Sequence, residues 1–175
     1  MITFNNISAD EYPAYYQPYL SLIDPSLSLS NILVNSLYNS LNLLKSIDVP
    51  LNYRYAANKW SIGQVMMHNI DTERVFAYRA LCFIRRDQTS LPGFDQDLFV
   101  DNLGDLAFAK ADVLQSLKTT RNATIEVFKY ASDASLIFKG TASDKIMTAR
   151  VIPFIIAGHN LHHENVIRER YLVGS

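Results

Sequence analysis

Cysteine, glycine and proline are all scarce in this sequence. Their scarcity argues against internal disulfides and against a fold of many short strands. Cys82 is the one cysteine among 175 residues, so no disulfide can form within the chain, and a reducing compartment is expected. Six glycines and six prolines favour a few long helices over many short strands joined by turns. Apolar residues make up 49% and charged residues 19% of the chain, which excludes an intrinsically disordered protein.

An excess of charge of either sign is also lacking. Lys and Arg together number 16 and Asp and Glu 17, whereas proteins that bind nucleic acid through its phosphates usually carry a basic excess. No basic region followed by an apolar run opens the chain, so no signal peptide is expected. No stretch approaches the roughly 18 uninterrupted apolar residues of a membrane span. We therefore expect a cytoplasmic protein with neither a nucleic-acid nor a membrane partner.

The length and the hydrophobic pattern predict one helical domain over residues 1–175. Three prolines within residues 1–25 indicate an irregular N-terminal arm. Behind the arm, apolar residues at intervals of three or four positions predict four long helices. These helices extend from about Ser26 to Ser46, from Ser61 to Asp87, from Asp105 to Ala131 and from Thr148 to Tyr171. Ser61 and Gln64 form a capping-box pattern, and Pro153 should bend or delay the fourth helix.

The connections between the helices predict the topology. Residues 88–104 are expected to be irregular, and an extended segment of that length covers roughly 55 Å, more than the roughly 40 Å of the second helix. This segment can therefore return along the second helix, which makes the second and third helices parallel. A short link then makes the fourth helix antiparallel to both. The prediction is an all-α, four-helix bundle with a long crossover.

Three of the four histidines are candidate metal ligands. His159 and His163 project about 40° apart on the apolar face of the fourth helix, a spacing that allows both to bind one ion. His68 lies about 10 Å from the start of the second helix and His163 about 12 Å from the end of the fourth, depths that match in antiparallel helices. The alternative is a set of hydrogen-bonded core histidines. His162 points about 60° away from His159 and is expected to flank the site.

Four segments resemble the DinB-like family of metal-dependent proteins. They are NKWSIGQVMMHNIDTERVFAYRAL (58–81), LPGFD (91–95), IAGHNLHH (156–163) and RERY (168–171). The resemblance covers about residues 27–172. It implies a four-helix bundle of up-down-down-up topology that binds one divalent metal ion through His68, His159 and His163. Relatives often carry glutamate at the position of Asn160.

Three histidine ligands leave open coordination positions, which is typical of catalytic metal sites. The resemblance implies a thiol S-transferase that acts on a small molecule with a low-molecular-weight thiol. Zinc or nickel is expected first, with iron or manganese as alternatives. Hydrolysis by metal-activated water and a non-enzymatic, metal-binding stress-response bundle remain alternatives. Thiol transfer is placed ahead of hydrolysis because no carboxylate occupies an obviously inward position near the histidines to act as a base. The expectation of a homodimer rests on no particular residue.

Carboxylates close to the histidines in sequence are candidates for orienting them. Asp71 lies about 60° from His68 around the helix and is the preferred hydrogen-bond partner for a ligand imidazole. Glu73 and Glu164 are expected on a solvated face or in ion pairs with arginines.

Arginines and aromatic residues are the remaining candidates. Arg79 and Arg121 are each either a buried arginine paired with a carboxylate or an anchor for an anionic substrate, and for Arg79 the structural role is preferred. Trp60 and Tyr78 are expected to be packing residues. The substrate cleft should lie between the second and fourth helices, with aromatic residues from the arm or from residues 88–104 near its mouth.

Overall fold

The helices of the computed structural model, which describes residues 2–104 and 108–172, follow the predicted segments closely. The α-helices are Gln17–Leu20 (α1), Leu29–Ser46 (α2), Ile62–Ile84 (α3), Gln96–Leu103 (α4), Lys110–Lys129 (α5), Asp133–Leu136 (α6) and Ile152–Val166 (α7), and the strands are Lys139–Ala142 (β1) and Lys145–Thr148 (β2). The predicted start of the third helix, Asp105, lies outside the described residues, as does Leu106. None of the described helices is both long and apolar enough to cross a bilayer.

Local sequence signals explain where the long helices begin. The Ser28 hydroxyl accepts a hydrogen bond from the Asn31 backbone N–H, so α2 starts three residues later than expected. The predicted capping box of Ser61 and Gln64 is present at the start of α3. Pro153 occupies the first turn of α7, after a 3₁₀ turn over Ala149–Val151, and therefore delays the helix without bending it.

Contacts near the helix ends confirm the expected directions of the second, third and fourth long helices. Gly63 at the start of α3 lies against the ring of Phe108, just before α5, so α3 and α5 are parallel. His68 near the start of α3 meets His163 near the end of α7, with ring centroids 4.8 Å apart. The helix α7 is therefore antiparallel to α3.

Two contacts place α2 in the same bundle. Lys110 at the start of α5 donates a hydrogen bond to the carbonyl of Ile47 at the end of α2, so these helices are antiparallel. Ser40 and Glu164, both in the later halves of their helices, are hydrogen bonded, so α2 and α7 are parallel. The order up, down, down, up for α2, α3, α5 and α7 follows.

A layer of buried polar side chains crosses the middle of the bundle. One apolar cluster contains Phe83 and Phe154, and a second contains Leu44 and Ile62 at the other end. Between them lie the buried polar residues Ser36, Ser40, His68, Asn69, Thr72, Glu73, Thr120, Arg121, Thr124, His159, Asn160 and Glu164. The candidate site is part of this layer.

The connections contain more regular structure than expected. The crossover includes α4, capped by the Asp95 carboxylate, so residues 88–104 are not irregular throughout. The link before α7 folds into α6 and an antiparallel hairpin of β1 and β2. The hairpin turn places Ser143 and Asp144 at φ 52° and 58°. Its sequence lacks the Asn-Gly or Asp-Gly pair that usually marks such turns, so this small hairpin was not predicted, although the all-α four-helix bundle itself is confirmed.

The N-terminal arm is tied to the bundle at several places. Glu11 accepts hydrogen bonds from the Arg150 guanidinium and from the Thr148 hydroxyl. The short helix α1 packs against α7 at Gly158, where a Cβ atom would come within 2.3 Å of the Tyr19 carbonyl oxygen. The absence of a side chain at Gly158 therefore allows the arm to approach the neighbouring His159.

Candidate metal centre and adjoining cavity

The structure brings His68, His159 and His163 together. The Nε2 atom of His159 lies 3.1 Å from that of His68 and 3.2 Å from that of His163. One ring nitrogen from each residue lies within 4.8 Å of the others. These side chains come from the inward faces of α3 and α7. The two helices are antiparallel, as expected from the similar distances of His68 and His163 from the adjacent helix ends.

Burial keeps the three imidazoles in the form that binds metals. It lowers the pKa of His68 to about 4 and, with His68 and His162 nearby, that of His163 to about 3. Burial also lowers the pKa of His159 well below its ordinary value, and the other histidines lower it further. All three are therefore neutral at neutral pH, as metal ligands must be.

The separations of the His159 nitrogen from those of His68 and His163 suit ligands of one divalent ion. Two nitrogens bonded tetrahedrally to zinc at 2.0–2.1 Å lie about 3.3 Å apart, close to the separations of 3.1 and 3.2 Å at His159. Three protein ligands leave at least one coordination position for an exchangeable group. The residues present therefore fit a metal ion with an open side.

A cavity of about 360 Å³ adjoins the cluster. His159 lines it, whereas His68 and His163 do not. The other lining residues come from the arm (Pro13, Tyr15, Tyr16, Tyr19), α3 (Thr72, Phe76, Arg79), the crossover (Phe94, Gln96), the hairpin (Ser143, Lys145) and α7 (Ile155). This volume falls in the range of small-molecule sites. The expected cleft with aromatic residues from the arm and the crossover is confirmed.

Comparisons with known proteins agree with this architecture. A profile of the DinB superfamily matches residues 34–167. The chain belongs to the DinB superfamily. Among solved structures, YfiT from Bacillus subtilis has a TM-score of 0.68 and 16% sequence identity, over 86% of this chain and 91% of that one. YfiT is described as a probable metal-dependent hydrolase with an unusual four-helix bundle topology, and at this identity the likeness shows the shared fold. No curated protein sequence matches the chain.

In this DinB-superfamily chain, one of two residues expected beside the histidine cluster lies where it was predicted, and the other does not. His162 is exposed, with its ring 5.3 Å from that of Tyr19, in agreement with the flanking position expected. Asp71 accepts a hydrogen bond of 2.9 Å from Arg74 on the surface and none from a histidine of the described chain. The expectation that Asp71 orients a ligand imidazole is therefore wrong, because its position on α3 turns it towards solvent.

The two glutamates are held in buried contacts. Both carboxylate oxygens of Glu73 accept hydrogen bonds from Arg121, at 2.7 and 2.9 Å. Burial raises the pKa of Glu164. The hydrogen bond of 2.6 Å from Ser40 and the longer contact with Arg168 lower this pKa, but their effect is smaller. The arginine-pair interpretation is confirmed, and a solvated face is excluded because both glutamates are buried.

Asn160, where the family resemblance leads to an expectation of glutamate, is fully enclosed. Only 1% of its surface is exposed, and within the described residues neither polar atom of its side chain has a hydrogen-bond partner. Asn69, which follows His68, likewise has a buried carbonyl oxygen without a described partner. Buried groups of this kind normally bind a water or another polar molecule.

The two candidate arginines have different surroundings. Arg121 has the structural role, since it pairs with Glu73 and donates a hydrogen bond to the carbonyl of Leu33. Arg79 has no carboxylate partner among residues 2–104 and 108–172. It donates hydrogen bonds to the Pro92 carbonyl at 3.2 Å and the Ser143 hydroxyl at 2.8 Å. Burial lowers the pKa of Arg79, and the neighbouring Tyr16 phenol opposes this effect. The preferred expectation of a carboxylate-paired Arg79 is wrong.

Of the two aromatic residues expected to be packing residues, Trp60 is one and Tyr78 is not. Trp60 packs with its ring 5.0 Å from that of His68, and its carbonyl accepts a hydrogen bond of 2.7 Å from the Tyr171 hydroxyl. Tyr78 is 57% exposed and is not a packing residue.

The residues that the sequence analysis missed are Ser143 and Lys145, which belong to the hairpin at the cavity. A weak signal existed, since two short segments with β-branched residues flank the polar pair Ser143 and Asp144.

Proposed function

We propose that this protein is a metal-dependent enzyme that transfers a low-molecular-weight thiol to a small electrophile at His68, His159 and His163. The observation that carries this proposal is the convergence of three neutral imidazoles, one of which faces a cavity of about 360 Å³. Structural metal sites are normally closed by four protein ligands, so a three-histidine set beside a cavity favours a reaction site.

The chemistry divides between the ion and the chain. A divalent ion held by the three histidines would supply a Lewis acid that lowers the pKa of a thiol or a water in its open position. His159 faces the cavity, and Phe76 and Ile155 form an apolar part of its wall. Zinc and nickel are the ions that we expect, because imidazole suits both.

The surroundings of the histidines favour thiol transfer over hydrolysis. Glu73 is paired with Arg121, and Glu164 is hydrogen bonded to Ser40. Neither glutamate forms a described contact with a histidine, so neither is placed to take a proton from an attacking water. A thiolate is already the nucleophile once its proton is lost and needs less help from a general base. The description of YfiT as a probable metal-dependent hydrolase supports hydrolysis as the second candidate.

The test compares metal-loaded wild type with two histidine variants. We expect the wild type to accelerate the reaction of glutathione or cysteine with 1-chloro-2,4-dinitrobenzene, His68→Ala to lose this activity, and the exposed His162→Ala to retain it. Equal rates for wild type and His68→Ala, with both folded by circular dichroism, would refute catalysis at this cluster. Cleavage of p-nitrophenyl acetate without thiol, lost in His68→Ala, would establish the hydrolase instead.

A further inference from the structure

The cavity is chemically different at its two ends. His159 of α7 lies at one end, beside Thr72 of α3. Arg79 lies seven residues beyond Thr72 on α3, about 10 Å further along the helix axis. Phe76 lies between them, and its ring centroid is 5.1 Å from the guanidinium carbon of Arg79. A molecule in the cavity can therefore contact the reaction centre and the guanidinium at the same time.

Arg79 lacks a carboxylate partner among the described residues, unlike the buried Arg121 and the partly buried Arg150. Arg79 is only 2% exposed. Arg121 is paired with Glu73, and Arg150 is paired with Glu11. A buried charge without a counter-charge is costly, and native proteins almost always pair such groups. Arg79 contacts only neutral groups within the described chain, so no described residue supplies its counter-charge.

A second cation lies at the same end of the cavity. Lys145, from strand β2, lines the cavity and has no ion-pair partner in the part of the chain that the structure describes. Lys139, on the paired strand, forms an ion pair with Asp10 at 2.8 Å. The hairpin therefore brings one unpaired lysine towards the unpaired arginine.

The wall beside these two cations is aromatic. The ring centroid of Phe94 lies 6.0 Å from the guanidinium carbon of Arg79 on the crossover side, and Tyr16 lines the arm side. Such a wall favours a ligand with an apolar or aromatic body. The hydrogen bonds of Arg79 to the Pro92 carbonyl and to the Ser143 hydroxyl both come from Nη2, and the Tyr16 phenol is a further neutral neighbour of the guanidinium.

We infer that Arg79, with help from Lys145, binds the anionic group of a small apolar or aromatic substrate. The anionic group is a carboxylate or a phosphate monoester, because the planar guanidinium binds both in the same way. The body of this substrate lies along Phe76 and Phe94, and its reacting atom faces His159. The assignment of the reacting end rests on the proposed function, whereas the anion site stands on the geometry around Arg79.

Binding measurements with three matched probes test the anion site without turnover. The probes are 3-phenylpropanoate, its neutral amide 3-phenylpropanamide, and phenyl phosphate. They are titrated by calorimetry into the full chain loaded with zinc and into the same chain after chelation, since a carboxylate also binds metal ions. Arg74→Gln is the matched control, because Arg74 is on the same helix but pairs with Asp71 at the surface.

We expect the wild type to bind 3-phenylpropanoate about ten- to a hundredfold more tightly than the amide, with and without zinc. Arg79→Gln should remove this preference, and Arg79→Lys should restore part of it. Lys145→Gln should weaken the binding of 3-phenylpropanoate by about two- to fivefold. Arg74→Gln should leave the affinity for 3-phenylpropanoate unchanged. Tighter binding of phenyl phosphate than of 3-phenylpropanoate would assign a phosphate-bearing substrate, and the reverse a carboxylate.

Two results would overturn the inference. One is equal affinity of the wild type for the carboxylate and its amide, which decides the matter even where Arg79→Gln fails to fold. The other is a preference for the carboxylate that survives in a folded Arg79→Gln. Failure of the proposed function has a different signature, namely turnover that is unchanged in His68→Ala while anion binding still depends on Arg79.

Discussion

The Nε2 atoms of His68 and His159 lie 3.1 Å apart, although 91 residues separate them in the sequence. His68 belongs to the early part of α3 and His159 to the middle of α7, so only antiparallel helices in the observed register bring the two nitrogens together. His163 joins them because it lies one turn beyond His159 on the same face. Metal affinity should therefore depend on these three residues and not on their exposed neighbour His162.

Removing His163 should abolish tight metal binding, whereas removing His162 should not. The loss in His163→Ala should exceed the roughly 10- to 100-fold that is typical for loss of a group that only supports a ligand. His162→Ala should keep a stoichiometry of one ion per chain, because its side chain is exposed beside Tyr19. Zinc titration by calorimetry measures both, and equal losses in the two variants would show that the third ligand is misassigned.

Gly158→Ala should destabilise the protein and displace the arm. A Cβ atom at this position would approach the backbone oxygen of Tyr19 to 2.3 Å, and backbone cannot move aside as a flexible side chain does. We expect a loss of about 1–3 kcal/mol, as for other overpacked sites, together with faster proteolysis of the arm.

Gly93→Ala is the control for this substitution. Its added methyl group would meet the Ser143 hydroxyl oxygen at 3.4 Å, so the change in stability should stay within about 0.5 kcal/mol. Chemical denaturation compares the two variants. A Gly158→Ala protein as stable as Gly93→Ala would mean that α1 does not pack on α7 as described.

The buried pair of Glu73 and Arg121 should be far more important for stability than a surface pair. Glu73→Gln leaves the Arg121 charge buried without a partner, which should cost about 3–5 kcal/mol. Glu126→Gln removes a partner of the exposed Lys129 and should cost less than about 1 kcal/mol. Urea denaturation of both variants gives the comparison, and similar losses would contradict the enclosure of Glu73.

Glu11 should make the stability of the arm depend on pH. Burial raises the pKa of Glu11, but hydrogen bonds from Arg150, the Ser8 backbone and Thr148 together hold it below its ordinary value of 4.5. Because the pKa is lower in the folded state, the ionised carboxylate stabilises the protein above about pH 4.5, and this stabilisation is lost as the pH falls through the folded-state pKa.

The thermal stability of Glu11→Gln tests this dependence. Near neutral pH the variant should be less stable than the wild type by about 2–3 kcal/mol, the scale of charge-assisted hydrogen bonds. The difference should shrink in acid, where the wild-type carboxyl is also neutral. Asp10→Asn, at an exposed ion pair with Lys139, should show little difference at either pH. A difference for Glu11→Gln that is independent of pH would point to lost packing instead of lost charge.

Local sequence patterns were sufficient for the helices and for the candidate metal ligands. The Ser61 and Gln64 capping box and the spacing of His159 and His163 act over one or two turns, and a helix of known period converts such spacing into a shared face. The depth of His68 added the antiparallel pairing, because the rise per residue of a helix is constant. The expectation of three converging histidines needed no tertiary information beyond this.

The partners of the charged residues required the tertiary structure. The sequence did not show whether Arg79 or Arg121 has a carboxylate partner, since both lie within long helices. Packing places Arg121 against Glu73, 48 residues away, and places Arg79 against Ser143, 64 residues away. No local period relates residues so far apart, and the hairpin that carries Ser143 was itself hidden by an unusual turn sequence. The sequence alone therefore determined that the three histidines share the inward faces of two helices, whereas only the tertiary structure decided which buried arginine is paired with a carboxylate and which is not.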